Sequence, residues 1–176
     1  MNARLLKPKP LTREAFAPYG DVIAADGVTP RPINYGATER YHDLAGIDCM
    51  GEGGRAIVSI LRSTPRAFPL TLRVMESHPL SSQAFIPLRG RPYLVVVAPA
   101  GPFAPAKVEA FLASGEQGVN YRRGTWHHFS LSLEAPSDFL VIDREGPGNN
   151  CIEVSLEDFD PIILTLKAHA HAASGL

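Results

Sequence analysis

The chain has 176 residues, 45% of them hydrophobic and 20% charged, with a formal net charge of −1. This is one domain with enough chain to bury a sizeable core, and no Lys/Arg-rich run invites nucleic acid. The longest apolar run, 94-LVVVAPA-100, is too short to span a bilayer, and the N-terminus lacks the apolar stretch of a signal peptide. A cytoplasmic protein with neither a nucleic-acid nor a membrane partner is therefore expected. Cys49 and Cys151 fit no metal or redox spacing, so both are expected as reduced thiols.

In chain order, residues 12–19 (TREAFAPY) read as a short helix, with Thr12 as N-cap and Glu14 in the first turn. Short apolar or alternating runs follow at 20–25, 56–63, 69–78, 83–88 and 91–98. Residues 105–115 (PAKVEAFLASG) read as a second helix, with Val108, Phe111 and Leu112 at helical spacing and Gly115 as the stop. Strand-like runs resume at 118–123, 126–133, 138–143 and 151–156. So many short strands punctuated by Pro and Gly predict a mainly β fold, an antiparallel β-barrel with one or two short helices. A single domain over residues 1–166 is expected, then a loose C-terminal tail at 167–176 with His169 and His171 in solvent.

Alternation along two of these runs selects candidate site residues. In 69-PLTLRVMESH-78, Leu70, Leu72, Val74, Glu76 and His78 share one face, apolar until its last two members, while Thr71, Arg73, Met75 and Ser77 share the other. The first face is expected to point inward, carrying Glu76 and His78 into the interior. A buried carboxylate beside a buried imidazole is costly unless it is paired or binds something. In 126-WHHFSLSL-133, His127 shares a face with Phe129, Leu131 and Leu133, so it is expected inside. His128 is expected outward or in a subunit contact. Asp143 ends an apolar strand on the face of Phe139 and Val141, with a turn-forming role before 144-REGPG-148 as the simpler account.

The spacing of these residues resembles the cupin pattern, in which His-x-His, a later carboxylate and a distant His after a Gly turn hold a metal. Here 76-ESHPLSSQAFIPLRG-90 places Glu76 where the first His is expected and Gln83 where the carboxylate is expected, and 122-RRGTWH-127 supplies Gly124 and His127. Two His and one Glu suit a divalent ion such as nickel or zinc. A metal-free pocket using Glu76, His78 and His127 as acid and base is the open alternative.

Longer phrases resemble one family, the ureidoglycolate lyases, older descriptions of which say ureidoglycolate hydrolase. They are 15-AFAPYGDVI-23, 39-ERYHDLA-45, 70-LTLRVMESHPLSSQAFIPLRG-90, 115-GEQGVNYRRGTWHH-128 and 138-DFLVIDREG-146, in family order from about Leu5 to Leu166. The resemblance implies a cupin-like barrel, a homodimer, an associated divalent metal, and cleavage of (S)-ureidoglycolate to glyoxylate and urea. Such a reaction needs an acid and a base near neutrality, roles open to His78, His127 and Glu76. The substrate carboxylate calls for a guanidinium, with Arg40, Arg62 and Arg123 as candidates; Arg122 is another, and Arg73 the weakest. Asn34, Ser59 and Gln83 are candidates for the ureido group. The alternatives are an amidohydrolase releasing ammonia, and a non-catalytic cupin module that binds a small carboxylate.

Overall fold

The structure is a computed structural model that describes residues 2–166. The expected loose tail, with His169 and His171, lies outside the described residues. The elements in order are β1 (Arg4–Leu6), β2 (Lys9–Pro10), α1 (Arg13–Phe16), β3 (Gly20–Ile23), β4 (Arg31–Ile33), β5 (Thr38–Arg40), β6 (Arg55–Ser63), β7 (Leu70–Thr71), β8 (Val74–Ser77) and β9 (Gln83–Pro87). They continue with β10 (Tyr93–Ala98), β11 (Glu109–Ala113), β12 (Gly118–Tyr121), β13 (Trp126–His127), β14 (Leu131–Ser132), β15 (Ser137–Glu145), β16 (Ile152–Ser155) and β17 (Ile162–Leu164). The fold is mainly β, as expected, and no helix among the described residues is long and apolar enough to cross a membrane.

The strands form three stacked layers and a separate hairpin. A seven-stranded sheet runs β16-β8-β13-β10-β11-β2 with β14 also paired to β10; a five-stranded sheet runs β3-β12-β9-β15-β6; a three-stranded sheet runs β1-β17-β7. The first core lies between the seven- and five-stranded sheets and contains Phe16, Phe85, Tyr93, Phe111, Tyr121 and Phe139. A second lies between the seven- and three-stranded sheets and contains Leu72, Met75, Leu94, Trp126, Leu131 and Ile162. Strand β10 sits between them: Tyr93, Val95 and Val97 face the first core, Leu94, Val96 and Ala98 the second. This is why its sequence is continuously apolar rather than alternating. Most pairings are antiparallel, but β1 pairs β17, and β11 pairs β2, in parallel.

The second core overturns two expectations. Residues 105–115 are not a helix; Pro105–Lys107 make one 3-10 turn and Glu109–Ala113 form β11. Phe111 faces the first core and Ala110 the second, so a strand covered on both sides loses its period of two and imitates helical spacing. The inward face of 69–78 is also not continuous. The ladder breaks at Leu72 and Arg73, after which Leu72 and Met75, of opposite parity, share the second core. The first helix is real but shorter than expected, four residues, with Thr12 Oγ1 accepting from Ala15 N as its cap. Cys49 is buried and Cys151 exposed, both as free thiols.

Phe111 tests the layering. Its ring is fully buried, edge-on to Phe16 at 5.6 Å between centroids. Phe111→Ala is expected to destabilise by about 3–5 kcal/mol, read as a lower denaturant midpoint.

Candidate active site

The site forms where the first core turns polar. His127 sits on β13 opposite Val97 of β10 and opposite Glu76 of β8. Because Val97 faces the first core, so do His127 and Glu76, while their neighbours Trp126 and Met75 face the second. His78 follows β8 by one residue. Its carbonyl accepts from Gly124 N at 2.9 Å, tying it to the turn that leads into β13. That turn needs Gly124 because its φ of +77° lies in the left-handed region. The ladder and this turn bring His78 and His127 to 5.2 Å between ring centroids.

Hydrogen bonding fixes which nitrogen of each ring is free. His78 Nδ1 lies 2.6 Å from the carbonyl of Asn150; a carbonyl only accepts, so Nδ1 carries the hydrogen and Nε2 the lone pair. His127 Nδ1 faces two acceptors, Glu76 Oε1 at 3.5 Å and His128 O at 3.4 Å, leaving its Nε2 as the lone pair too. Both Nε2 atoms are buried without a hydrogen-bond partner, as are Gln83 Oε1 and Asp143 Oδ1. Unpaired buried acceptors are rare and costly, and four of them belong to this one region.

Burial sets the protonation. His127 is fully enclosed and its Tyr121 neighbour stacks on it at 4.2 Å and 3°. Burial first, and the nearby His78 second, push its pKa down to about 3. His127 is thus neutral at neutral pH, and its contact with Glu76 is a long polar contact rather than an ion pair. Burial raises the Glu76 carboxyl, with His78 opposing and Glu153 assisting. Burial also raises Asp143, against the Gln83 amide and His78. One ligand atom each from Glu76, His78 and His127 lies within 4.8 Å of the other two, so these three can together hold a metal ion.

Comparison with known proteins shows which family the chain belongs to. The family model described as ureidoglycolate lyase matches residues 3–163. A ureidoglycolate lyase of Burkholderia cepacia is 55% identical over 89% of this chain and 92% of its own. Ureidoglycolate lyase 1 of Rhizobium meliloti (strain 1021) is 52% identical over 89% and 92%, and a ureidoglycolate lyase of Brucella melitensis 52% over 90% and 94%. The chain belongs to the ureidoglycolate lyase family.

Beside the two histidines opens a cleft of about 350 Å³ lined by residues that include His78, Gln83, Asp143, Asn150 and Cys151. Alternation put Asp143 on this face but favoured a turn for it, and did not mark Asn150. Asp143 does not start a turn; it lies inside β15, on the face of Phe139 and Val141. Asn150 clamps the His78 turn, accepting from Leu80 N and donating to Ser81 Oγ, both at 2.8 Å. Its signal in the sequence is only an Asn-Asn pair after 146-GPG-148.

The other predicted binding residues lie apart from the cleft lining. Arg62 pairs with Asp138 at 2.6 Å and Arg123 with Asp48 at 2.9 Å. Ser59 is half-buried within β6. Asn34 and Arg40 stand exposed on the β4–β5 hairpin. Arg73 is exposed, as read, and Arg122 hydrogen-bonds Ala17 O. His128 departs from expectation: it is 5% exposed and not outward-facing. The run 126–133 breaks between β13 and β14, which leaves Phe129 exposed, puts Leu131 in the second core, and folds the His128 ring in with its Nδ1 donating to Phe129 O at 3.0 Å.

Both imidazoles are held neutral in the fold, since burial lowers His127 and His128 alike. The unfolded chain binds protons near pH 6.5, so it gains protons first as pH falls and stability declines from about 6.5 downward. The melting temperature is expected to fall through this range, with a shallower slope in His128→Asn.

Proposed function

We propose that the protein is a ureidoglycolate lyase, cleaving (S)-ureidoglycolate to glyoxylate and urea. The observation that carries this reading is the pair of buried, unpartnered imidazole Nε2 atoms beside a raised carboxyl, in a chain of this family. The substrate carbon bears a hydroxyl, a carboxylate and the urea nitrogen. Cleavage takes the hydroxyl proton, turns that oxygen into the glyoxylate carbonyl and breaks the C–N bond, with a proton returned to nitrogen.

His78 Nε2, fixed as an acceptor by the Asn150 carbonyl, receives the hydroxyl proton. Glu76, whose carboxyl burial has raised, carries a proton to the departing nitrogen. His127 stays neutral and steadies Glu76 through Nδ1. Gln83 Oε1 and Asp143 Oδ1 accept from the terminal ureido N–H groups, which satisfies two otherwise unpaired acceptors. A hydrolytic amidase would need an attacking water and would release ammonia; the site is explained without one.

As the alternative to that direct acid–base route, the donor set fits a divalent metal: His78 and His127 would offer Nε2 and Glu76 a carboxylate oxygen, a choice suited to nickel or zinc. Such an ion, when bound, makes a hydroxyl proton easier to remove. We further propose a cupin-like architecture and a homodimer as the working assembly.

Purified protein given ureidoglycolate is expected to release urea and glyoxylate with no ammonia; ammonia without urea would replace this reading with the amidohydrolase. His127→Ala is expected to cut turnover by roughly 100-fold or more, the scale of removing an acid–base partner, at unchanged circular dichroism. His128→Ala is expected mainly to lower the melting temperature, and equal loss of activity in both folded variants would contradict the assignment. Equilibrium dialysis of nickel or zinc separates the two routes: the metal-held arrangement gives one ion per chain and none in His127→Ala, and the direct acid–base route gives no bound ion in either.

A further inference from the structure

Every arginine on the five-stranded sheet is already engaged, Arg55 with Glu145. Arg62 and Arg89 share Asp138, Arg123 holds Asp48, and Arg144 donates to the carbonyls of Gly51 and Glu52. The cleft itself offers acceptors, and a carboxylate needs donors. Elsewhere, the β4–β5 hairpin carries two guanidiniums with no ion pair or hydrogen bond among the described residues. Arg31 and Arg40 are direct cross-strand partners, a like-charge pairing that is destabilising unless an anion lies between or beside them.

That hairpin is uncovered. All ten residues from 31 to 40 are exposed, Tyr35 at its tip completely, and Asn34, Tyr35 and Gly36 all have left-handed φ (52°, 58° and 89°). An isolated two-stranded hairpin is marginal in water, so this one wants a surface to lie on. Its returning leg crosses the outer side of the five-stranded sheet, where Gly46 O accepts from Asn120 Nδ2 at 3.0 Å. It then reaches the rim of the site, where Asp48 holds Arg123 and Gly51 meets Arg144. On that same outer face Val58 and Ile60 are exposed, alongside half-buried Leu140, Ile142 and Ile86 and exposed Leu88.

One chain thus shows two uncovered features: an apolar sheet face and a cationic arm whose residues are all exposed. A second copy supplies a cover for both at once. Two such faces pack on each other as sheets do, and a two-fold axis sends each arm toward the other subunit's cleft. We propose that the active site is shared between two copies, and that Arg40 of one subunit's arm, with Arg31 beside it, binds the substrate carboxylate in the other's cleft. This rests on the ureidoglycolate reading above.

The test uses two disabled variants, Arg40→Met and His127→Ala, carrying different affinity tags and co-expressed so that mixed dimers can be purified through both tags. Arg40→Met alone is expected to raise KM roughly 10- to 100-fold, the scale of losing a charge-assisted pair, with partial rescue by Arg40→Lys. At substrate concentrations well below the wild-type KM, the mixed dimer is expected to recover about half of wild-type urea release. One of its two sites then has an intact His127 and receives an intact Arg40. A mixed dimer as inactive as its parents shows that each arm serves its own subunit and overturns the proposal. So does a wild-type protein that sediments as a monomer, or an Arg40→Met variant with unchanged KM. A wild type that dimerises but releases no urea would overturn the ureidoglycolate reading itself, a distinct result from an active wild type with a dead mixed dimer. The face is tested by Val58→Glu, expected to convert the dimer to monomer; a Val58→Glu dimer of wild-type affinity overturns the sheet-face packing.

Discussion

Strand β10 is covered on both of its faces, and much of the molecule follows from that burial. Six successive buried residues, Tyr93 to Ala98, demand a sheet on either side, which the five-stranded and three-stranded sheets provide. The strands hydrogen-bonded beyond β10 inherit the same two-sidedness. On β13, Trp126 goes to one core and His127 to the other; on β8, Met75 and Glu76 divide in the same way. The ionisable groups of the site are thus placed by the pleat of a sheet whose other face is anchored by a tryptophan and a methionine. Loosening the second core would tilt the ladder that sets His127 against Glu76.

The first core grades along its length from aromatic to polar. Phe16, Phe111 and Tyr19 pack edge to edge at one end. Tyr121 then stacks flat on His127, and beyond it come Glu76, His78, Gln83 and Asp143. The stacked phenol excludes water from the imidazole, and that exclusion keeps the ring neutral. The same low dielectric that costs stability there strengthens whatever the lone pairs meet.

The sequence made the strands and the inward placement of Glu76, His78 and His127 legible, because alternation and a spacing argument of a different kind selected the same three residues. The reasoning about their neighbours failed wherever a second core intervened. Leu72 and Met75, or His127 and Leu131, differ from strict alternation because short breaks switch the parity where the chain passes from one core to the other. Residues 109–113 looked helical because burial on both faces removes the polar positions that betray a strand. Asp143 carried the right parity with Phe139 and Val141, yet the glycines that follow it looked like a turn reaching further back than it does. Asn150 was invisible, since it acts by bracing a backbone turn rather than by bearing a charge.

The chemistry of the substrate divides in the way the structure divides its polar groups. The central carbon of ureidoglycolate carries a hydroxyl donor and a carboxylate side by side, and its third substituent brings the ureido N–H donors. The cleft and the buried wall behind it hold acceptors fixed in place: the lone pairs of His78 and, behind it, His127, an amide oxygen and a carboxylate oxygen. A free cation among these groups would pair with Glu76 or Asp143 and neutralise the acceptors that the reaction uses, much as Asp138 is neutralised by Arg62 and Arg89; Arg144, which lines the cleft, is instead held on the carbonyls of Gly51 and Glu52. In the proposed shared site, carrying Arg40 on a separate arm avoids that short circuit. Arg40 would then meet the acceptors only when a substrate carboxylate lies between them, so that binding and orientation come in one step.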